Sequence, residues 1–141
     1  MKNLFRYFAP MINDPLFADV ILPLPLDYHF TYRVPAAFQF RIKTGVRVIV
    51  QFGKRKFFSA LVYKLHKNEP TGEFEVKDID AILDDEPIIG EKQLQIWEWI
   101  ANYYCCTLGE VYKAALPTGL KLESQTKISL NPDAIITEGL T

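Results

Sequence analysis

Histidine and cysteine are scarce in this 141-residue sequence, with two of each. The cysteines, Cys105 and Cys106, are neighbours, which bridge only with strain, and His29 and His66 stand far from them in sequence. A Cys/His zinc site of ordinary ligand spacing is excluded, and both thiols are expected to be buried or reduced. No GxxxxGKS/T phosphate loop, GxGxxG or HExxH motif is present. Two isolated histidines leave no partner pair for His-based acid–base chemistry. Asp84-Asp85-Glu86 is the one dense carboxylate run, but metal loops alternate their ligands, so it reads as a solvated acidic turn. No stretch reaches the roughly 18 apolar residues that span a bilayer. Met1–Pro10 lacks both the apolar core and the small-residue cleavage site of a secretory signal. A cytoplasmic protein with no membrane partner is expected, and no catalysis is expected from these residues alone.

What the sequence has is an apolar fraction of 49% against 23% charged residues, enough to bury a core and too much for a disordered tail. The formal net charge of −1 conceals a segregation. Between Tyr28 and Asn68 there are nine Lys and Arg and no Asp or Glu, whereas Glu69 to Thr141 carries a balance of −9. Such asymmetry points either to a nucleic-acid surface or to complementary pairing of the two halves.

The first half has strand character. Phe17–Leu22, His29–Val34, Val46–Phe52 and Phe57–Leu65 are rich in β-branched and aromatic residues and are separated by Pro, Gly and charge. Val46, Val48, Val50 and Phe52 alternate with Arg47, Ile49 and Gln51, giving one wholly apolar face. Asp78–Leu83 is a further strand. Pro23-Leu24-Pro25-Leu26 cannot sit centrally in a sheet, since two prolines remove two donors. Lys43-Thr44-Gly45 is a turn with glycine at positive φ, and Gly53-Lys54-Arg55-Lys56 a tight hairpin with three cations at its tip. A helix from Glu91 presents Leu94, Trp97, Ala101 and Tyr104 at helical spacing, with Ile96 and Ile100 widening the stripe. Thr107-Leu108-Gly109-Glu110 fits a capping box for a second, short helix that Pro117 stops. The expected fold is mainly β, a small antiparallel β-barrel followed by two α-helices. Thr118–Thr141 is polar and offers too little apolar surface for a second domain.

Nucleic-acid chemistry suits this pattern. Arg47, Lys54, Arg55 and Lys56 are expected to neutralise phosphates, with Phe30, Tyr32, Phe52, Phe57 and Phe58 supplying aromatic faces, one or two of them at the surface. Gly53, having no Cβ, would let a sugar or base approach the backbone.

Four collinear segments, ADVILPLPLDYHFTYRVP (18–35), TGVRVIVQFGKRK (44–56), VKDIDAILDDEPII (76–89) and WIANYYCCTLGEVYKAALP (99–117), resemble the N-terminal region of primosomal protein N′, the PriA replication-restart helicases. The resemblance implies a domain, residues 1–117, that recognises the 3′ end of the nascent leading strand at a stalled fork. Residues 118–141 would be a linker and the start of a truncated winged-helix domain. ATP-dependent 3′-to-5′ unwinding, with its ATP, magnesium and zinc sites, would then belong to the missing helicase part, so no cofactor is expected in this chain. Forked or 3′-ended DNA is the implied ligand, with primosome and single-strand-binding proteins as partners of the full-length protein. The implied end pocket falls on Phe30, Thr31, Tyr32, Gly53 and Lys77. Its middle triplet residue is Asp in the best-known members, where it accepts a hydrogen bond from the 3′ hydroxyl; here it is Thr31, which can accept but carries no charge. A competing expectation is a basic barrel that docks an acidic protein partner. A small carboxylate-based enzyme would need two facing carboxylates, and Tyr28–Asn68 supplies none.

Overall fold

The computed structural model of the chain describes residues 14–72 and 75–120. Five strands form one antiparallel sheet: β1 (Leu16–Ile21), β2 (Phe30–Val34), β3 (Arg47–Phe52), β4 (Lys56–His66) and β5 (Ala81–Ile82), in the order β2-β1-β4-β3-β5. Helices α1 (Glu91–Tyr104) and α2 (Leu108–Ala115) follow. No helix among the described residues is long and apolar enough to cross a membrane.

The sheet curls without closing as a continuous ladder, so it is a barrel only approximately. The expected strand at Asp78–Leu83 divides its pairing between the two sheet edges. Residues 77–79 touch β2 through a single parallel bridge at Asp78 and Arg33, with the Arg33 amide donating to the Lys77 carbonyl at 2.9 Å. Three residues later, β5 pairs with β3. This crossing carries Ile79 into the interior, where it is 2% exposed.

Period-two alternation builds two apolar layers. Ala18, Val20, Val34, Val48, Val50 and Val62 fill the concave face, while Ile21 and Leu61 point the other way and meet Leu94, Trp97, Val111 and Tyr112 of the helices. β4 is therefore buried on both faces from Ser59 to Val62. Pairing of β1 with β4 shifts register between Asp19 and Val20, leaving Tyr63 as the extra residue of a bulge. Its ring stacks on His29 at 4.4 Å, and its hydroxyl donates to Glu98 of α1. Gly45 takes φ 91° at the turn before β3, where a Cβ would lie 2.1 Å from the Ile89 carbonyl oxygen. Only glycine fits there.

Helix α1 buries Leu94, Trp97 and Ala101 as its spacing requires, but Tyr104 is 69% and Ile96 55% exposed. The expectation for Tyr104 fails because the helix ends there. Cys105 turns left-handed (φ 54°) and the Cys106 amide bonds back to the Ala101 carbonyl, which ends the helix at Tyr104. Cys105 is consequently exposed and Cys106 half-buried, and both are free thiols, so of the two alternatives expected, buried or reduced, it is the reduced one that describes them. Thr107 caps α2 as expected: its hydroxyl accepts from the Glu110 amide at 3.2 Å, and the Glu110 carboxylate accepts from the Thr107 amide at 2.8 Å. Tyr112 pins α2 to the sheet by donating to the buried Ser59 carbonyl at 2.9 Å. Pro23–Leu26 is irregular, as its prolines demand. Residues 1–13 and 121–141 lie outside the described residues, and with them most of the expected linker; Thr118–Leu120 forms one 3₁₀ turn.

Candidate nucleic-acid interface

The charge segregation resolves first. The acidic run is not merely solvated but pairs with the basic window: Asp84 with Arg47 at 2.6 Å, Asp85 with Arg41 at 3.1 Å and Glu86 with Lys43 at 3.0 Å. The Asp84–Arg47 pair is bidentate, with Arg47 Nε donating to Oδ2 at 2.9 Å and Nη2 to Oδ1 at 2.6 Å. The Arg47 amide also donates to Asp84 at 3.0 Å, and Nη1 donates to the Leu120 carbonyl at 2.6 Å. Both side chains are nearly closed to solvent, at 12% and 11% exposed. These hydrogen bonds hold the Asp84 carboxyl below the usual carboxylate range and raise Arg47 above its own. Arg47, expected to meet phosphate, is therefore committed to fastening β3 to the segment after β5. Its guanidinium already donates to Asp84 twice and to the Leu120 carbonyl once.

Lys54, Arg55 and Lys56 are different. They stand exposed at the β3–β4 turn with no ion pair among the described residues. Gly53 opens that turn at φ 76°, stabilised by Gln51 Nε2 donating to the Lys54 carbonyl at 2.9 Å. Among the described residues, chain neighbours apart, nothing lies within 4 Å of where a Gly53 Cβ would be, so glycine is required there for its backbone angle rather than for space.

Beside this turn lies a cleft of about 480 Å³ lined by Phe30, Thr31, Tyr32, Phe52, Gly53 and Lys77, among others. All five residues expected in an end pocket thus border one cavity. Lys77 reaches it from 24 positions beyond Gly53 because residues 77–79 bridge to β2, and its ammonium donates to the Gly53 carbonyl at 2.8 Å. The five do not present alike. Tyr32 is 4% exposed, and its hydroxyl donates to the Gln51 carbonyl at 2.9 Å. Burial, and secondly the charge of Asp80, push its phenol up to about 12. It forms the floor rather than a stacking shelf.

The most exposed aromatic ring lining the cleft is Tyr28, which sequence reasoning missed. It is 65% exposed, packs on Phe30 at 5.0 Å, and Phe30 meets Phe52 edge-on at 4.9 Å. The recurrence Tyr28, Phe30, Tyr32 at every second position was the available signal. Of the other aromatics, Phe57 is exposed and Phe52 and Phe58 half-buried. Asp19 was also missed. Thr31 donates its hydroxyl to Asp19 Oδ1 at 2.6 Å, across the directly paired positions of β1 and β2.

An aromatic cleft beside a basic hairpin that has no ion pair among the described residues is apt for nucleic acid. Residues 19–117 match the 3′DNA-binding domain (3′BD) of PriA. The chain belongs to the PriA 3′BD family. Similar proteins include the replication restart protein PriA of Treponema pallidum, 30% identical over 105 residues that make up 71% of this chain and 16% of that protein. The PriA of Bacillus subtilis is 28% identical over 117 residues, 81% of this chain and 14% of that protein. That of Haemophilus influenzae is 35% identical over 102 residues, 72% of this chain and 14% of that protein. The 3′BD thus spans about one-seventh of the length of these relatives. The matched region contains every strand except the first three residues of β1, both helices and the whole cleft.

Proposed function

We propose that this 3′BD captures the 3′-terminal nucleotide of a nascent leading strand at a stalled fork and so directs a replication-restart helicase to it. The observation that supports this reading is the convergence of Phe30, Thr31, Gly53 and Lys77 on one cleft next to three cations that have no ion pair among the described residues. The terminal base stacks on Tyr28 and Phe30, a contact worth about 1–3 kcal/mol. The strand leading to it runs past Lys54, Arg55 and Lys56, which hold phosphates without reading sequence. Lys77 tethers the Gly53 turn and adds positive charge at the mouth. Within this reading, residues 1–117 form the binding domain and 118–141 lead to a winged helix. Unwinding, its ATP, magnesium and zinc, and contacts with primosome and single-strand-binding proteins belong to parts of the whole protein beyond this chain. Among the described residues, no group of three His, Cys, Asp or Glu could hold a metal.

The test is a titration of the 141-residue chain with oligonucleotides ending in a 3′ hydroxyl or a 3′ phosphate, and with circular single strands. Tighter binding of the hydroxyl end than of either other ligand is expected. Equal affinity for all three would leave a general DNA-binding surface. Salt-sensitive binding of an acidic protein in preference to any DNA would favour the docking alternative.

A further inference from the structure

The strands that wall the aromatic cleft carry no Asp or Glu between Tyr28 and Asn68, yet one carboxylate borders it. Glu75 arrives from the segment ahead of β5. Residues 77–79 run extended beside β2, where the Arg33 amide donates to the Lys77 carbonyl at 2.9 Å and the Ile79 amide to the Arg33 carbonyl at 3.0 Å. Ile79 enters the interior. Lys77, two positions earlier, reaches the cleft and donates to the Gly53 carbonyl at 2.8 Å. Glu75, two positions earlier again, borders the cleft with Lys77. On β2 the same alternation turns Thr31 away. Phe30 and Tyr32 pack with the interior face, while the Thr31 hydroxyl donates to Asp19 at 2.6 Å on the opposite one. Two further polar groups at the floor are already engaged: the Tyr32 hydroxyl donates to the Gln51 carbonyl, and Gln51 Nε2 to the Lys54 carbonyl. Glu75 is exposed and has no hydrogen bond or ion pair among the described residues.

From this we infer that Glu75 sets the preference of the cleft for the chemistry of a strand end. A carboxylate offers acceptors only. A terminal 3′ hydroxyl has a hydrogen to donate, and a hydrogen bond to an ionised oxygen is among the stronger kinds. A 3′ phosphate carries a charge of about −1.5 to −2 at neutral pH and presents acceptors, so it meets like charge with no hydrogen to share. A 2′,3′-dideoxy end neither donates nor repels and falls between the two. Phosphates further along the strand are held by the Lys54-Arg55-Lys56 turn, so one acid at the cleft penalises a charged terminus more than a charged backbone. The inference rests on the end-binding reading above, since the terminus must enter this cleft.

The test compares the 141-residue chain with its Glu75→Ala and Glu75→Gln variants. Affinity is read for oligonucleotides ending in a 3′ hydroxyl, a 2′,3′-dideoxy sugar or a 3′ phosphate, with circular single-stranded DNA as control. The parent should bind these ends in that order of decreasing affinity. Each variant is first checked for a cooperative thermal transition, which an exposed position should leave unchanged. Glu75→Ala is expected to reduce the preference for hydroxyl over phosphate by about tenfold, the scale of one hydrogen bond to a charged group. It should also weaken the hydroxyl end itself without weakening circular DNA. Glu75→Gln, which removes the charge but keeps an acceptor oxygen, should lose the discrimination against phosphate while retaining part of the preference for hydroxyl over dideoxy ends. If Glu75→Ala fails to fold, Glu75→Gln alone must reduce the hydroxyl-to-phosphate ratio by about tenfold. A ratio unchanged in the folded variants overturns the inference while leaving end binding intact. So does an equal gain in affinity for every ligand, circular DNA included, because that is the effect of deleting any negative charge near DNA. A parent chain with no end preference overturns the end-binding reading and this inference with it.

Discussion

Arg47→Ala separates two roles that a basic residue in this window could have. The substitution removes three side-chain hydrogen bonds, two to Asp84 and one to the Leu120 carbonyl. It leaves the Asp84 carboxylate at its 11% exposed site with the residue 47 amide as its remaining donor. Removing one partner of a buried ion pair costs about 3–5 kcal/mol, and the surviving amide bond places this case near the lower figure. Against a domain stability of about 5–15 kcal/mol, this is a large fraction. With a urea m-value of about 1–3 kcal/mol/M, the midpoint should fall by about 1–3 M, followed through the fluorescence of buried Trp97. Acid should narrow the difference. The Asp84 carboxyl is depressed in the folded state, chiefly by its hydrogen bonds from Arg47. Its contribution is therefore complete above the unfolded value of about 4 and is lost as pH falls through the lower folded value. The parent should outlast the variant fully at pH 6–7 and progressively less below pH of about 4. DNA binding by the folded variant should keep the parent's salt dependence. A variant of unchanged stability whose log K against log salt flattens by about 0.7 would refute the reasoning and make Arg47 a phosphate contact.

Replacing Lys54, Arg55 and Lys56 together with Ala should do the opposite, flattening the single-strand salt slope by up to about 2 while leaving the urea midpoint unchanged; an unaltered slope removes the hairpin from the interface. Trp97→Ala should cost about 3–5 kcal/mol in urea titrations, since Trp97 is 7% exposed between α1 and the sheet, whereas Tyr104→Ala should stay within about 0.5 kcal/mol. Comparable losses at both would mean that α1 packs differently. Gly53→Val forces a β-branched residue to φ 76° and should cost about 1–2 kcal/mol of stability, with a further loss of affinity for the 3′ hydroxyl end but not for circular DNA. Undiminished end binding would place the terminus elsewhere.

The first four strands, the hairpin at Gly53, the turn at Gly45, the Leu94, Trp97 and Ala101 positions of α1 and the Thr107 cap were all legible, because each depends on neighbours within a few residues. Period-two and period-3.6 patterns report which side of an element is apolar, and φ preference reports where glycine is needed. The same local logic placed Tyr104 on the buried stripe and had no means of knowing that the partner surface stops at Ala101. It could not separate Arg47 from Lys54, Arg55 and Lys56 either. A count of charge is blind to the fact that Asp84, 37 positions away, would face one of them and not the others.

At the candidate site the division is similar. The aromatic and glycine chemistry of Phe30, Thr31, Tyr32 and Gly53 was written in adjacent residues, and the likeness of four collinear segments to one family drew in Lys77. Tertiary structure alone made Tyr32 a floor and Tyr28 the exposed ring. The reason is that curling of the sheet decides how far along β2 the interior extends. It alone set Asp19 against Thr31, because strand register is a pairing between distant segments. Amino-acid order determined the elements, their apolar faces and the cations of the hairpin. Which cations stay free, which aromatics meet solvent and which way the Thr31 hydroxyl points were decided by packing, since each depends on a partner that sequence distance hides.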